Sequence, residues 1–258
     1  MESISVQHIE QLKVAKSALE SADLAVRMAS IIGTPIEKAI DLLPGRWQEI
    51  ILDVSRDALE KAADAAIWTL TGEVPAARNL SHKLAVAVAG AAAGTFGLPA
   101  LAIELPISTT IMLRSIADIA RSEGEDIRTA EARLACIEVF ALGGRAQSDD
   151  AAESGYYAAR AVLGQVVSEA AGYLAKGGAQ TTAPAIVRFI SRVAARFQIQ
   201  VTEKAAAQAA PILGAAGGAL INSIFISHFQ KMARAHFTVR RLERTYSPQL
   251  VEARYREL

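Results

Sequence analysis

The chain has 258 residues, one cysteine and equal numbers of acidic and basic side chains, 27 of each. A chain of this length can bury a large core without disulfides, and a lone Cys136 excludes an intrachain disulfide. The charge is unevenly distributed, because residues 184–258 hold 11 basic and 4 acidic residues, a net charge of +7. This basic last quarter favours an anionic partner, or pairing with the acidic part of the same chain.

Helical periodicity dominates the sequence, and alternating strand patterns are almost absent. One helix is predicted over about residues 5–32, and a capping box at Thr34 and Glu37 predicts the next. The other predicted helices cover about residues 50–70, 107–124, 128–142, 156–171, 184–209, 214–246 and 248–258. The sequence therefore predicts an all-α protein, a single helical-bundle domain of about eight to ten helices. We expect residues 1–42 to form an N-terminal helical arm and residues 43–258 the main domain.

Two segments carry no charge, residues 84–103 and residues 205–227. Both are rich in glycine and alanine, and small side chains let helix backbones approach closely. We expect them to form apolar hairpins that pack against each other at the centre of the domain. About twenty helical residues also match the thickness of a bilayer's hydrocarbon core, although both segments contain few large apolar side chains. Burial inside the protein and embedding in lipid are both compatible with this pattern.

Three longer motifs follow one another along the chain. They are "ELPISTTIMLRSIADIARSEGED" (104–126), "EVFALGG" (138–144) and "GAAGGALINSIFISHFQKMARAHFTVRRLERTY" (214–246). In this order they resemble the EcsC protein family of bacteria, and the likeness covers about residues 43–255. The resemblance implies a family named for a gene beside an ABC transporter and without an established activity. It also implies a connection with secretion.

Two groups of basic residues are the candidate anion-binding or lipid-binding sites. Arginines at i,i+4 spacing share one helix face and can hold phosphate groups bidentately. Cations beside an apolar segment suit anionic lipid, and pairing with carboxylates of the same chain is the alternative. The first group is Arg188, Arg192 and Arg196, and the second is Lys231, Arg234, Arg240, Arg241 and Arg244.

Two polar residues lie at the uncharged segments. Asn222 is surrounded by apolar residues, where its amide needs a hydrogen-bond partner. Glu104 directly follows the first segment, so its carboxylate either marks a water boundary or pairs inside the protein. We expect Asn222 and Glu104 to form a polar lock where the two segments cross.

Catalytic and metal-binding patterns are missing from the sequence. There is no G-x-S-x-G motif, and Cys136 lies among apolar neighbours, which predicts a buried thiol. His228 and His236 are eight residues apart on one predicted helix, about 12 Å along its axis, so they cannot share a metal ion. The sequence therefore predicts no enzyme activity, no cofactor and no metal.

These patterns favour a non-enzymatic, membrane-associated protein that is accessory to a transporter or to secretion. Residues 1–21 are polar and do not resemble a signal peptide, which predicts a cytoplasmic location at the membrane. The expected partner is an anionic membrane surface or a membrane protein, and the absence of a recognised binding motif argues against nucleic acid. The alternative is a soluble helical module that binds a lipid-like ligand between the two segments. A hydrolase is the third and least supported hypothesis.

Overall fold

The computed structural model describes residues 4–21, 23–69, 101–143, 155–178, 180–209 and 214–258. These residues form ten α-helices and no strand, which confirms the predicted all-α fold. The helices are α1 (Val6–Leu19), α2 (Asp23–Ile32), α3 (Ile36–Asp41), α4 (Trp47–Thr69), α5 (Leu101–Ser122), α6 (Ala130–Glu138), α7 (Gly155–Ala175), α8 (Pro184–Ala209), α9 (Gly214–Thr245) and α10 (Pro248–Glu257). A short 3₁₀ turn, Val139–Ala141, continues α6.

Local sequence signals set several helix ends. The side-chain oxygens of Ser5, Thr129 and Ser247 each accept a hydrogen bond from a backbone N–H three residues on, which caps α1, α6 and α10. Gly124 follows α5 with a φ of 81°, a left-handed conformation that glycine adopts without strain. Pro184 begins α8, as the sequence predicts.

Two predicted details near the N-terminus are wrong. The chain does not form one helix over residues 5–32, because α1 ends at Leu19 and α2 begins at Asp23. At this break the Ser21 hydroxyl donates to the Ala18 carbonyl oxygen at 3.0 Å, a local bond that competes with helix continuation. Thr34 does not cap α3, because Pro35 occupies the cap position and no side chain caps this helix.

Helix α9 runs through the middle of the bundle and packs against α1, α2, α5 and α8. The Gln230 amide donates to the Ser115 hydroxyl at 2.7 Å, and Arg241 contacts Glu123 at 2.8 Å. From the first contact to the second, the residue numbers increase on both helices, so α5 and α9 run parallel. Lys204, near the end of α8, lies over the ring of Phe225, so α8 runs antiparallel to both. The beginnings of α5 and α9 and the end of α8 therefore lie at one end of the bundle.

Four aromatic side chains fill the centre of the core. They are Phe140, Phe197, Phe225 and Phe229, and their ring centroids are 5.1 to 6.1 Å apart in edge and tilted contacts. All four are 1% exposed or less. Rings at these separations gain about 0.5–1.5 kcal/mol per pair beyond their burial. The 3₁₀ turn after α6 is thereby joined to α8 and α9.

The segment predicted as an arm, residues 1–42, shares this core. Leu12, Leu24 and Met28 are fully buried, and α1 packs along α9. The division of the chain at residue 42 stays a prediction. Of the two uncharged segments, residues 84–100 lie outside the described residues, and most of residues 205–227 form the end of α8 and the start of α9.

Gly143 offers a test of this packing. Its φ is 73°, and a Cβ at this position would lie 2.5 Å from the Met232 sulfur and 2.9 Å from the His228 ring. We expect Gly143→Ala to lower the free energy of unfolding by about 2–4 kcal/mol, because left-handed strain adds to a steric clash. Urea denaturation followed by circular dichroism measures the change.

Gly33→Ala is the matched control. Gly33 has a φ of 66°, but nothing lies within 4 Å of a Cβ built there. Its substitution carries only the backbone strain, about 1 kcal/mol. Equal losses of stability in the two variants would contradict the packing of Gly143 against α9.

Candidate functional site

The deepest charged contact in the structure joins α5 to α8. The Lys204 ammonium lies 2.6 and 2.8 Å from the two carboxylate oxygens of Glu104, and the side chains are 0% and 3% exposed. The same ammonium lies 4.8 Å from the centre of the Phe225 ring on α9. Burial lowers the pKa of Lys204, while the Glu104 carboxylate opposes that shift. One buried ion pair thus connects three helices at this end of the bundle.

The sequence patterns identified Glu104 as a candidate residue but did not identify Lys204. Glu104 is the first charge after the first uncharged segment, and Lys204 is the last charge before the second. This symmetry is a signal from which the pairing could have been predicted. Asn222 is fully buried on α9, three residues before Phe225. Its predicted contact with Glu104 stays a prediction, whereas the partner of the Glu104 carboxylate is Lys204.

Large apolar side chains are exposed beside this ion pair. Ile103 is 73% exposed, Ile107 is 50% exposed and, at the start of α9, Leu220 is 48% exposed. We call these three residues the apolar end. Ile103 and Ile107 are one helical turn apart, and the same face of α5 reaches an exposed charge only at Arg114. Neighbouring Glu104 and Lys204 add no exposed charge, because each is buried against the other.

The described helices include none that combines the length and the apolar character needed to cross a membrane. Most residues of α9 between Leu220 and Phe237 are buried in the protein core. A bilayer contact through these residues would therefore be superficial.

The first group of candidate arginines lies on α8, away from the apolar end. Arg188 forms an exposed ion pair with Glu169 at 2.6 Å. The Arg196 guanidinium donates to the Ala141 carbonyl oxygen at 2.9 Å, and burial lowers the pKa of Arg196. Arg192 is exposed on the same helix. The i,i+4 spacing therefore serves partly to bind α7 and the turn after α6.

Most of the second group pairs with carboxylates of the same chain. Arg240 and Arg244 both bind Glu125, and Arg241 binds Glu123 at 2.8 Å. Lys231 binds Asp23 at 3.1 Å, and Arg234 is exposed. Burial alone would raise the pKa of Glu125, but the guanidinium groups of Arg240 and Arg244 lower it. These contacts correspond to the intramolecular alternative, and lipid binding by this group stays a prediction.

The basic residues and the apolar end are far apart along α9. Leu220 and Arg240 are separated by twenty residues, about 30 Å of helix.

A second buried polar cluster holds α7 against α9. The Tyr156 hydroxyl lies 3.0 Å from Nδ1 of His236, and Arg160 binds Glu243 at 2.6 Å. Burial raises the pKa of Tyr156 and lowers the pKa of His236. Tyr255 of α10 stacks on Tyr156 with ring centroids 5.6 Å apart. Both Tyr156 and His236 are fully enclosed, so this cluster is suited to structural support and not to contact with a substrate.

Potential nucleophiles and metal ligands are poorly placed in the described residues. Cys136 is fully buried, and burial raises the pKa of its thiol to about 12, so it stays protonated at neutral pH. Within the described ranges, histidine, cysteine and carboxylate side chains do not gather in a group that could hold a metal ion. The acidic residues Asp149, Asp150 and Glu153 lie outside those ranges.

The motifs that suggested a family meet in space. The ring centroid of Phe140 in "EVFALGG" lies 5.1 Å from that of Phe229 in the long third motif. Gln230 of the third motif donates to the hydroxyl of Ser115 in the first. A family model for the EcsC protein family matches residues 6–242. The chain belongs to the EcsC protein family. The family region includes α1 to α3 and ends before α10. Comparison with curated proteins and with solved structures found no match.

The buried ion pair predicts a strong effect of Lys204→Met. The substitution leaves the Glu104 carboxylate buried without its counter-ion, so we expect a loss of about 3–5 kcal/mol in the free energy of unfolding. The double variant Glu104→Gln/Lys204→Met removes both charges and should recover much of that loss. Denaturant unfolding of the two variants and the native protein gives the comparison.

Lys61→Met is the control for this experiment. Lys61 and Asp57 form an exposed pair at 2.8 Å, and water screens such pairs strongly. The control should unfold at nearly the native denaturant concentration. If Lys204→Met behaved like Lys61→Met, the buried pair would not be structurally important.

His228 predicts a pH-dependent stability. It is 1% exposed, its two ring nitrogens have no hydrogen-bond partner among the described residues, and burial lowers its pKa to about 4. Below about pH 6.5 this histidine is protonated in the unfolded chain but stays neutral in the folded protein. The free energy of unfolding therefore falls as the pH falls towards 4. His236 shifts in the same direction. Between pH 7 and pH 5 we expect His228 to cost about 2 kcal/mol.

Unfolding experiments at pH 7 and pH 5 test this expectation. His228→Leu removes the titrating group, so its stability should fall less over this interval than that of the native protein. An identical fall in both proteins would show that His228 is protonated as readily in the folded state as in the unfolded chain.

Proposed function

We propose that this protein is a non-enzymatic peripheral membrane protein that docks on a bilayer through its apolar end. The observation that carries the proposal is the exposure of Ile103, Ile107 and Leu220 at the end of the bundle where α5 and α9 begin. Ile103 and Ile107 lie one turn apart on α5, and neighbouring exposed apolar side chains are typical of a surface that meets lipid or another protein.

The sequence next to the apolar end supports a lipid surface. Residues 84–100 carry no charge and lead directly into α5, so the chain that adjoins Ile103 is itself apolar. On α5 the exposed face changes from isoleucine to Arg114 after about three turns. A long cationic side chain at such a boundary can bury its methylene groups and place its guanidinium among headgroups.

The distribution of charge supports the same orientation. The charged residues near the start of α5 and the end of α8 that the structure describes are Glu104, Glu203 and Lys204, and all three are buried. Glu104 and Lys204 neutralise each other in the interior. The basic residues at the other end of α9 are held by Glu123 and Glu125. We therefore propose that apolar burial, more than attraction to anionic headgroups, provides the binding energy.

Membership of the EcsC family supports this proposal only in general terms. The sequence resemblance connects the family with a transporter and with secretion, so a membrane protein is the class of partner that we propose. The bilayer contact would bring the bundle to that partner at the membrane surface. The alternative of a lipid-like ligand between the two uncharged segments depends on residues 84–100, which lie outside the described residues.

Liposome flotation of the purified chain tests the proposal. We expect the native protein to float with neutral and anionic vesicles, and to do so at high salt, because salt screens charges but does not weaken apolar burial. Ile103→Ser/Ile107→Ser should reduce partitioning at least about tenfold, since each buried large apolar side chain contributes about 1.5–3 kcal/mol.

The control is Val162→Ser/Val187→Ser. These valines are also exposed, but they lie on α7 and on the first half of α8, away from the apolar end. The control should float like the native protein. Binding that requires anionic lipid and disappears at high salt would contradict docking through the apolar end and would assign the contact to exposed cations such as Arg192.

A further inference from the structure

An open groove runs between α1 and α9, with a volume of about 950 Å³. One wall is a face of α1 that includes Gln11 and Val14, and the other is a face of α9 from Lys231 to Arg241. Along α9 this distance is about 15 Å. The groove begins eleven residues, about 16 Å, beyond Leu220, so it is separate from the apolar end.

The floor of the groove is apolar and made of small residues. Ala15, Ala18 and Ala235 lie between the two helices, and their side chains end at Cβ, which leaves the space open. Val14 stands at the edge of the groove and is 66% exposed. A trough of this kind can bury an apolar chain without moving either helix.

Charged contacts hold the two cations at the ends of the α9 wall. At one end Lys231 binds Asp23, and at the other Arg241 binds Glu123 and donates to the Gln11 side-chain oxygen at 3.0 Å. These cations are therefore already neutralised.

Arg234 differs from its neighbours in the groove. It is exposed, and in the described part of the chain it has neither a hydrogen bond nor an ion pair. Thr238 lies one turn further along the same wall. A guanidinium without a partner, beside an apolar trough, can bind a carboxylate or phosphate with two hydrogen bonds.

We propose that the groove binds a single-chain anionic amphiphile, such as a fatty acid or a lysophospholipid. Its carboxylate or phosphate lies on Arg234, and its acyl chain lies over Val14, Ala18 and Ala235. The volume falls within the range of about 300–1,000 Å³ that small-molecule sites occupy. The α9 wall, about 15 Å long, would accommodate only about ten residues of a helical peptide.

Isothermal titration of the full chain with dodecanoate, below its micellar concentration, tests the proposal without vesicles. We expect saturable binding of one molecule. Arg234→Ala should weaken it at least about tenfold, because a charge-assisted bidentate contact is lost. Ala18→Phe should block it by filling the floor. Dodecanol, which has no charge, should bind at least about tenfold more weakly than dodecanoate.

Arg56→Ala is the matched control, because Arg56 is an exposed helical arginine on α4 and lies outside the groove. It should bind dodecanoate like the native protein, and circular dichroism should show that Arg234→Ala is folded. Native affinity in Arg234→Ala, or equal affinity for dodecanol, would overturn the proposal. So would the absence of dodecanoate binding in a chain that binds an acidic helical peptide. Each of these results is independent of liposome flotation.

Discussion

The buried ion pair between Glu104 and Lys204 constrains the position of three helices. Two charges removed from water are tolerated only where the geometry is good, and here the ammonium contacts both carboxylate oxygens within 2.8 Å. A shift of α5 along α8 by one residue would displace one group from the other by about 1.5 Å and leave the charges poorly paired in an apolar interior. Phe225 covers the ammonium, so α9 is held in the same arrangement.

This constraint accounts for the burial of charged side chains at the start of α5 and near the end of α8. Glu104 directly follows the first uncharged segment, and Lys204 directly precedes the second. Both side chains face inward, where they bind each other. Isoleucine and leucine side chains are left at the surface. An apolar surface supported by a rigid core is the physical basis of the proposed membrane contact.

The basic half of α9 has a different role. Its arginines bind the acidic turn after α5 and thereby hold the far ends of the parallel helices together. The net charge of the last quarter is thus largely compensated inside the protein. Arg234 is the exception among these cations in the described residues, since it faces the groove between α1 and α9. The apolar end and the groove are separate surfaces that one long helix positions.

Sequence patterns by themselves determined the helical class, most helix ends and the membership of the family. These features depend on local periodicity, on caps such as Ser247, and on motifs that follow one another along the chain. The break between α1 and α2 escaped this reasoning, because a serine that bonds its own helix end differs little from a serine on a continuous helix.

Only the tertiary structure decided which charges meet. Glu104 and Lys204 are one hundred residues apart, and Arg241 and Glu123 are separated by 118. The position of a charge in the sequence does not show which opposite charge it meets in the folded protein. Spacing could therefore identify the arginine groups, but it could not distinguish an internal partner from an external one. The exposure of Ile103 and Ile107 could not be predicted from the sequence either. An apolar residue on a helix is expected to face the core, and only the packing shows that these two do not.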